Sequence, residues 1–125
     1  MFVDSHCHLD RVDLSPYAGD FDAMIAEARR DGVQHMLCVC IDLEHYGPMR
    51  RLVADYGDIS VSVGVHPNEQ SAAEPEVEQL IKMASDPAVV AIGETGLDYH
   101  YNDGDLDWQR QRFETHIAAA RAVGK

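Results

Sequence analysis

Positive charge is scarce in this sequence. Its 125 residues include ten lysines and arginines against 22 aspartates and glutamates, a formal net charge of −12 with the histidines neutral. A surface of this sign repels the phosphate backbone of nucleic acids. The charge therefore argues against a broad nucleic-acid-binding face, although it leaves open a single phosphodiester bound in a metal pocket.

Long apolar runs are also missing. No stretch approaches the roughly 20 apolar residues that a membrane-spanning helix requires. Residues 1–6 contain no basic segment followed by an apolar one, so no secretory signal is recognised. We therefore expect a cytoplasmic protein with no membrane partner.

Cysteine is too rare for a disulfide framework. The three cysteines are odd in number, and Cys38 and Cys40 are separated by one residue in an apolar run. We expect buried, reduced thiols. Cys7 lies between two histidines, but alternation along a strand is expected to point it away from them.

Several catalytic motifs are absent. Neither the G-x-G-x-x-G nor the G-x-x-x-x-G-K-[ST] spacing of phosphate-binding loops occurs, and no serine stands in a G-x-S-x-G nucleophile elbow. The sequence therefore does not predict these nucleotide-binding loops or that type of serine hydrolase.

What the chain does contain is a regular alternation of apolar runs and amphipathic stretches. The apolar runs predict strands over residues 2–6, 35–41, 59–65 and 88–93, and the helical periodicity predicts helices over residues 20–31, 43–56, 75–84 and 106–123. Pro75 is expected at the first helical position of the third helix. The inward face of the last helix is expected to carry Phe113, Ile117 and Ala120.

Four strands that alternate with four helices predict an α/β fold with a parallel sheet. Two architectures fit: a small doubly wound sheet, or four βα units forming the first half of a (β/α)8 TIM-type barrel of about 250 residues. The spacing of the elements does not choose between them. Residues 1–125 form one domain in either case, without a linker or an internal repeat.

The strongest chemical signal is the pair His6 and His8 at the end of the first predicted strand. Residues two apart on a strand project to the same face, so both imidazoles can bind one ion. Zinc, manganese, iron and nickel accept imidazole nitrogen. A bare His-x-His is common, however, and the alternative is a pair of ordinary loop histidines.

Glu94 is the second candidate metal ligand. It follows the apolar run at residues 89–92 and is flanked by Gly93 and Gly96. A carboxylate at the mouth of a buried strand needs a partner, because an unpaired buried charge is costly. A metal cation would be such a partner, and a carboxylate can bridge two ions; a nearby arginine or helix N-terminus is the alternative.

His66, before Pro67, ends the third predicted strand and is a candidate for hydrogen bonding a substrate oxygen; a plain turn histidine is the alternative. Asp4 and Asp10 could orient an imidazole, or serve as turn or capping residues. If the sheet is parallel, three strand ends with His-x-His, His-Pro and Glu meet at one rim. The other histidines are not expected to bind metal: His35, His45, His100 and His116.

These motifs resemble those of the TatD family of metal-dependent deoxyribonucleases. The matching segments are F-V-D-S-H-C-H-L-D at residues 2–10, V-G-V-H-P at 63–67 and I-G-E-T-G-L-D-Y at 92–99. The resemblance implies a (β/α)8 barrel with one or two divalent ions in its mouth. It implies that His6, His8 and Glu94 bind metal, with Glu94 bridging, and that the substrate is DNA or another phosphodiester.

The family's remaining ligands, two histidines and an aspartate, lie on later strands than this chain contains. The resemblance therefore implies that residues 1–125 are the amino-terminal half of the barrel and are inactive alone. An open half-barrel exposes strand edges and an apolar face, so self-association is expected.

Three functions remain open from the sequence. The first is metal-dependent cleavage of phosphodiester bonds in DNA. The second keeps the metal site but changes the substrate to a lactone, an amide or a phosphomonoester. The third is a non-catalytic fragment that assembles or binds metal only. The sequence does not distinguish Zn, Mn, Mg or Ni, nor one ion from two.

Overall fold

Four parallel strands form the sheet of the computed structural model, which describes all 125 residues. They are β1 (Phe2–Cys7), β2 (Val33–Cys38), β3 (Ile59–Val63) and β4 (Val89–Ile92). Their order is β1-β2-β3-β4, with every neighbouring pair parallel. A doubly wound sheet reverses its strand order at a switch point, so that alternative is wrong. Sequential order is the arrangement of a (β/α)8 barrel, and the predicted half-barrel is confirmed.

Each strand is followed by a helix. The helices are α1 (Phe21–Arg30), α2 (Leu43–Leu52), α3 (Val77–Met83) and α4 (Asp107–Val123). Asp20 and Asp42 cap α1 and α2, since their side chains accept the backbone N–H groups of Ala23 and His45. Gly124 ends α4 in the left-handed conformation (φ 70°), which glycine adopts without a steric penalty.

Some boundaries differ from those predicted. Helix α3 begins at Val77 instead of Pro75, because its N-cap Glu76 is extended (φ −98°, ψ 149°). Helix α2 ends four residues earlier than expected. The connection from β1 to α1 also contains two 3-10 turns, at Leu9–Arg11 and Ser15–Tyr17. Three-residue turns are too short to produce a detectable apolar period.

The core lies between the sheet and the helices. A cluster of 15 buried apolar residues joins β2, β3 and β4 to all four helices. Strand β3 lies inside the sheet and is buried on both faces, since Val61 and Val63 on one face are inaccessible to solvent and Ser62 on the other is 2% exposed. Cys38 and Cys40 lie in this core as free thiols. Burial raises the pKa of Cys40 to about 11, so its thiol stays protonated near neutral pH.

The predicted inward face of α4 is wrong. Ile117 is 42% exposed, and Phe113 and Ala120 are only partly buried. The fully buried positions of this helix are polar or small: Gln109, Arg112, His116 and Ala119. A prediction from apolar periodicity puts the buried face of α4 in the wrong place, because it does not count polar side chains. Those of Gln109, Arg112 and His116 are buried through hydrogen bonds to backbone groups of the neighbouring loop.

Apolar side chains are exposed at both edges of the sheet. Phe2 on β1 is 66% exposed, and Val90 on β4 is 47% exposed. Self-association through these edges stays a prediction. No helix of the chain combines the length and apolarity needed to cross a membrane.

Leu80 on α3 and Leu52 on α2 offer a matched test of the core, since Leu80 is inaccessible and Leu52 is 37% exposed. We expect Leu80→Ala to lower the free energy of unfolding by about 2–5 kcal/mol through the cavity it leaves. Leu52→Ala should lower it by less than about 1 kcal/mol. Urea denaturation measures both, and equal losses would show that the core is misplaced.

Candidate metal centre

Three polar side chains meet at the carboxyl ends of β1 and β4. His6 Nε2 lies 3.3 Å from Glu94 Oε2, and His8 Nε2 lies 3.7 Å from the same oxygen. Strands β1 and β4 are the two edges of the sheet, which a flat sheet would hold about 14 Å apart. The contact therefore reflects the curvature that closes a barrel.

The two imidazoles face the same side, as the spacing predicts. Their ring centroids are 5.2 Å apart with an interplanar angle of 82°. Cys7, between them, points the other way and its Sγ donates to the carbonyl of Leu37 at 3.3 Å. Burial raises the pKa of Cys7 to about 12, so this thiol is a poor competitor for a cation at neutral pH.

A backbone carbonyl orients the His8 ring. Its Nδ1 lies 2.9 Å from the oxygen of Val39, and only the ring nitrogen can donate in this pair. The neutral ring therefore carries its proton on Nδ1 and leaves the Nε2 lone pair free toward Glu94. Asp4 and Asp10 do not orient an imidazole: Asp4 accepts the backbone N–H of His6 at 3.1 Å, and Asp10 contacts the side chain of Arg11.

The turn that carries Glu94 is fixed by the two central strands. The backbone N–H of Glu94 donates to Cys40 at 2.9 Å, and that of Gly93 donates to Val63 at 2.8 Å. The hydroxyl of buried Ser62 donates to the Gly93 carbonyl at 2.6 Å and accepts the Cys40 N–H at 3.0 Å. The hydrogen bonds hold the glutamate at the carboxyl ends of the strands. The peptide bond between Gly93 and Glu94 is cis.

Gly64 allows the turn to approach β3. A Cβ at position 64 would lie 2.7 Å from the carbonyl carbon of Gly93, closer than real contacts allow. Sequence reasoning missed both Gly64 and Ser62. The available signal was a glycine and two serines in the otherwise apolar run at residues 59–65, since a glycine within a strand often marks close backbone approach.

His66 joins the cluster from the opposite side of Glu94. Its Nε2 lies 3.4 Å from Glu94 Oε1, and its Nδ1 accepts the backbone N–H of Asn68 at 3.0 Å. Because Nδ1 is the acceptor, the neutral ring carries its proton on Nε2. His66 therefore presents a donor where His8 presents a lone pair. This geometry suits a hydrogen bond to an oxygen and not metal ligation.

The remaining histidines lie outside the cluster. His45 bonds to Asp42, His35 to Ser60, and His116 to backbone groups. His100 lies at the surface with its ring against Tyr101. None of these four side chains belongs to the group formed by His6, His8 and Glu94, and the expectation that they do not bind metal stays a prediction.

The three-residue donor set fits a divalent metal ion. One ligand atom each from His6, His8 and Glu94 lie within 4.8 Å of one another. Ligands of a tetrahedral zinc ion, about 2.05 Å from the metal, are about 3.3 Å apart, close to the His6–Glu94 distance. Imidazole nitrogen with carboxylate oxygen also suits manganese, iron and nickel. Metal ligation by these residues stays a prediction.

The chain is similar in sequence to a known family and to several of its members. The sequence profile of the TatD related DNases matches residues 3–125. The chain is 40% identical over 124 residues to the uncharacterized metal-dependent hydrolase YcfH of Escherichia coli K12. It is 35% identical over 107 residues to the 3′-5′ ssDNA/RNA exonuclease TatD of Klebsiella pneumoniae. These alignments cover 98% and 85% of this chain, but 46% and 41% of those proteins.

A solved structure gives the same fold. The crystal structure of YjjV, a TatD homolog from Escherichia coli K12, superposes with a TM-score of 0.83 at 26% sequence identity. The match covers 98% of this chain and 48% of YjjV. The chain therefore spans about half the length of the relatives it matches.

Sequential parallel strands with a histidine–carboxylate cluster at their carboxyl ends define half of a (β/α)8 barrel with a candidate metal centre in its mouth. The chain belongs to the family of TatD related DNases. The resemblance drawn from the sequence motifs is thereby confirmed.

Gly64 and Gly57 provide a matched test of the close approach, because a Cβ at Gly57 would meet no atom within 4 Å. We expect Gly64→Ala to lower the free energy of unfolding by about 1–3 kcal/mol through overpacking, and to weaken cobalt binding measured by visible absorption. Gly57→Ala should leave cobalt binding unchanged. Normal cobalt binding by Gly64→Ala would contradict the role given to this contact.

The ligand assignment can be tested on the chain itself. A ligand that binds only the folded state raises its stability, so we expect Zn²⁺ or Mn²⁺ to raise the melting temperature. His8→Ala removes an imidazole nitrogen, and Glu94→Gln replaces the anionic carboxylate with a neutral amide, a much weaker ligand, so both should abolish that rise. His100→Ala is the control, since this histidine is outside the cluster. A rise of normal size in Glu94→Gln would exclude Glu94 as a ligand.

Proposed function

We propose that this chain supplies the first metal ligands of a divalent-metal-dependent hydrolase that cleaves phosphodiester bonds in DNA. The observation that carries the proposal is the convergence of His6, His8 and His66 on the single carboxylate of Glu94. Two imidazoles, of which His8 presents a free lone pair, and the N–H donor of His66 around one carboxylate can hold both a cation and an anionic oxygen. Membership of the family supports the same class of chemistry.

Each residue has a distinct task in this proposal. When bound, the cation would supply Lewis acidity and an acidified water. His6, His8 and Glu94 would hold it, and the Glu94 carboxylate would be the bridging ligand if two ions bind. His66 would donate its Nε2 proton to a phosphoryl oxygen and stabilise the charge that develops there. The partly exposed cluster leaves the substrate access from the barrel mouth.

The names of two relatives support this assignment of substrate. One relative is named a metal-dependent hydrolase and another a 3′-5′ exonuclease of single-stranded DNA and RNA. We take from them the metal dependence and the phosphodiester substrate, leaving the metal itself unassigned.

The distribution of charge favours a second candidate, hydrolysis of another ester or amide at the same metal site. Helices in a barrel run opposite to the strands, so their last turns lie far from the carboxyl rim. Most of the cationic side chains lie in or after those last turns: Arg29, Arg30, Arg50, Arg51, Lys82, Arg121 and Lys125. Little positive charge is left in this chain near the candidate site to attract a polyanion.

We also propose that the chain alone does not turn over substrate, because it holds only part of the ligand set that the family resemblance implies. It would then act within a complete barrel, or associate through its exposed edges. The three free thiols fit a reducing compartment, and we propose a cytoplasmic location.

The proposal is tested in a complete barrel, made by replacing the matching segment of Escherichia coli YcfH with residues 1–125. We expect the chimera to cleave single-stranded DNA in the presence of Mn²⁺, and EDTA to abolish cleavage. His66→Ala should lower kcat by about 100–1,000-fold, the range for loss of one transition-state donor, with metal affinity unchanged. His100→Ala is the matched control.

Assaying the chimera with a lactone, an amide and a phosphomonoester distinguishes the second candidate function from cleavage of DNA. Hydrolysis of one of these with no cleavage of DNA would replace the phosphodiester assignment. DNA cleavage that persists after chelation would contradict the metal-dependent mechanism altogether.

A further inference from the structure

Helix α4 turns a polar stripe toward the protein interior. Gln109, Arg112 and His116 are all at least 97% buried and follow helical spacing along one face. A buried polar group costs about 1–3 kcal/mol unless it is hydrogen-bonded. An apolar stripe would avoid that cost, so the partners of these three side chains are informative.

All three side chains bond to consecutive residues of one backbone segment. His116 Nε2 accepts the N–H of Val65 at 2.9 Å. Arg112 donates to the carbonyl of His66 at 3.0 Å, and Gln109 donates to that of Pro67 at 3.2 Å. We call residues 65–67 the His66 loop. It has left the ladder of β3, which ends at Val63, so these backbone groups need partners from elsewhere.

The protonation state of His116 matches this role. Its Nδ1 lies 2.7 Å from the carbonyl of Arg112 and donates to it, so Nε2 is free to accept from Val65. Burial lowers the pKa of His116, which keeps the ring neutral near pH 7. Both hydrogen bonds therefore require the same tautomer of His116, with the proton on Nδ1.

Gln109 also holds the loop that follows Glu94. Its Oε1 accepts the N–H of Asp98 at 2.8 Å, while its Nε2 donates to Pro67. The Asp98 carboxylate accepts the side-chain N–H of Asn68 at 2.7 Å. The segments that carry His66 and Glu94 are therefore tied to one another by the buried amide of Gln109 and by the Asn68–Asp98 hydrogen bond.

Contacts with Glu74 and Trp108 fix the position of the Arg112 side chain. Its guanidinium makes two bonds to the carboxylate of Glu74, at 2.9 and 2.5 Å, and lies over the ring of Trp108 at 4.9 Å. The fork geometry leaves one N–H directed at the His66 carbonyl. A lysine has no such fork and cannot make this set of contacts together.

We propose that Gln109, Arg112 and His116 are positioning residues that set the His66 ring opposite Glu94. They hold the backbone of the His66 loop, and that backbone places the Asn68 N–H against His66 Nδ1. The placement directs the Nε2 proton toward Glu94 and the space beside it. The consequence for catalysis rests on the proposed function, whereas the effect on the His66 ring does not.

Long-range ¹H–¹⁵N NMR of the labelled chain at pH 7.5 tests the proposal, because it reports which ring nitrogen of His66 is protonated. The wild-type chain should show protonated Nε2 and bare Nδ1. In Gln109→Met and Arg112→Met the loop loses a holding bond, and His66 should shift to a mixture of tautomers. Arg112→Lys should give an intermediate spectrum. The matched control is Arg110→Met, since Arg110 is exposed on the same helix.

Unchanged His66 signals in the two methionine variants, folded by circular dichroism, would overturn the proposal and leave α4 a role in stability only. If those variants do not fold, Glu74→Gln serves instead, because Glu74 is more than half exposed. It weakens the hold on the guanidinium and should still move the His66 signals, whereas Glu76→Gln, which removes no side-chain cap bond, should not. Unmoved signals in Glu74→Gln would likewise overturn the proposal.

The catalytic consequence is measured separately in the chimeric barrel. Gln109→Met should lower kcat by about 10–100-fold through misplacement of His66, with little change in metal affinity. An inactive wild-type chimera would count against the proposed function alone, because the NMR result does not depend on turnover.

Discussion

The contact of Gly93 with Gly64 is the constraint on which the candidate site depends. It lets the turn after β4 lie directly on the end of β3, where no side chain larger than hydrogen fits. Ser62 then joins that turn to the segment after β2 through two hydrogen bonds. Because the turn cannot move away from these strands, the Glu94 carboxylate is delivered to the middle of the barrel mouth. Residues from the first strand reach it there.

Opposite tautomers give the site two functions around one carboxylate. The Val39 carbonyl places the proton of His8 on Nδ1, and the Asn68 N–H places that of His66 on Nε2. One ring consequently offers a lone pair to a cation and the other offers a proton to an oxygen. This division arises from backbone groups, since neither Asp4 nor Asp10 orients a ring. In the proposed function, this difference gives His8 the role of metal ligand and His66 the role of substrate-binding residue.

The sequence predicts the elements and the convergence of His6, His8 and Glu94, because apolar periods identify strands and parallel strands end at one rim. It does not predict the inward face of α4. Periodicity counts apolar side chains, whereas His116 is buried by a bond to Val65, 51 positions away. The roles of Gly64 and Ser62 are not predicted either, because both depend on contacts with the turn after β4, which is distant in the sequence. The strand order, which excludes the doubly wound sheet, is not predicted either, because it depends on which distant segments pair with one another.

Anomalous X-ray scattering from crystals of the chain soaked in Zn²⁺ locates the bound ion and identifies its ligands. We expect a peak about 2.0–2.2 Å from His6 Nε2, His8 Nε2 and a Glu94 oxygen, with His66 Nε2 outside bonding distance. A peak on other residues, or one bonded to His66 while Glu94 turns away, would contradict the assignment of ligand and donor roles.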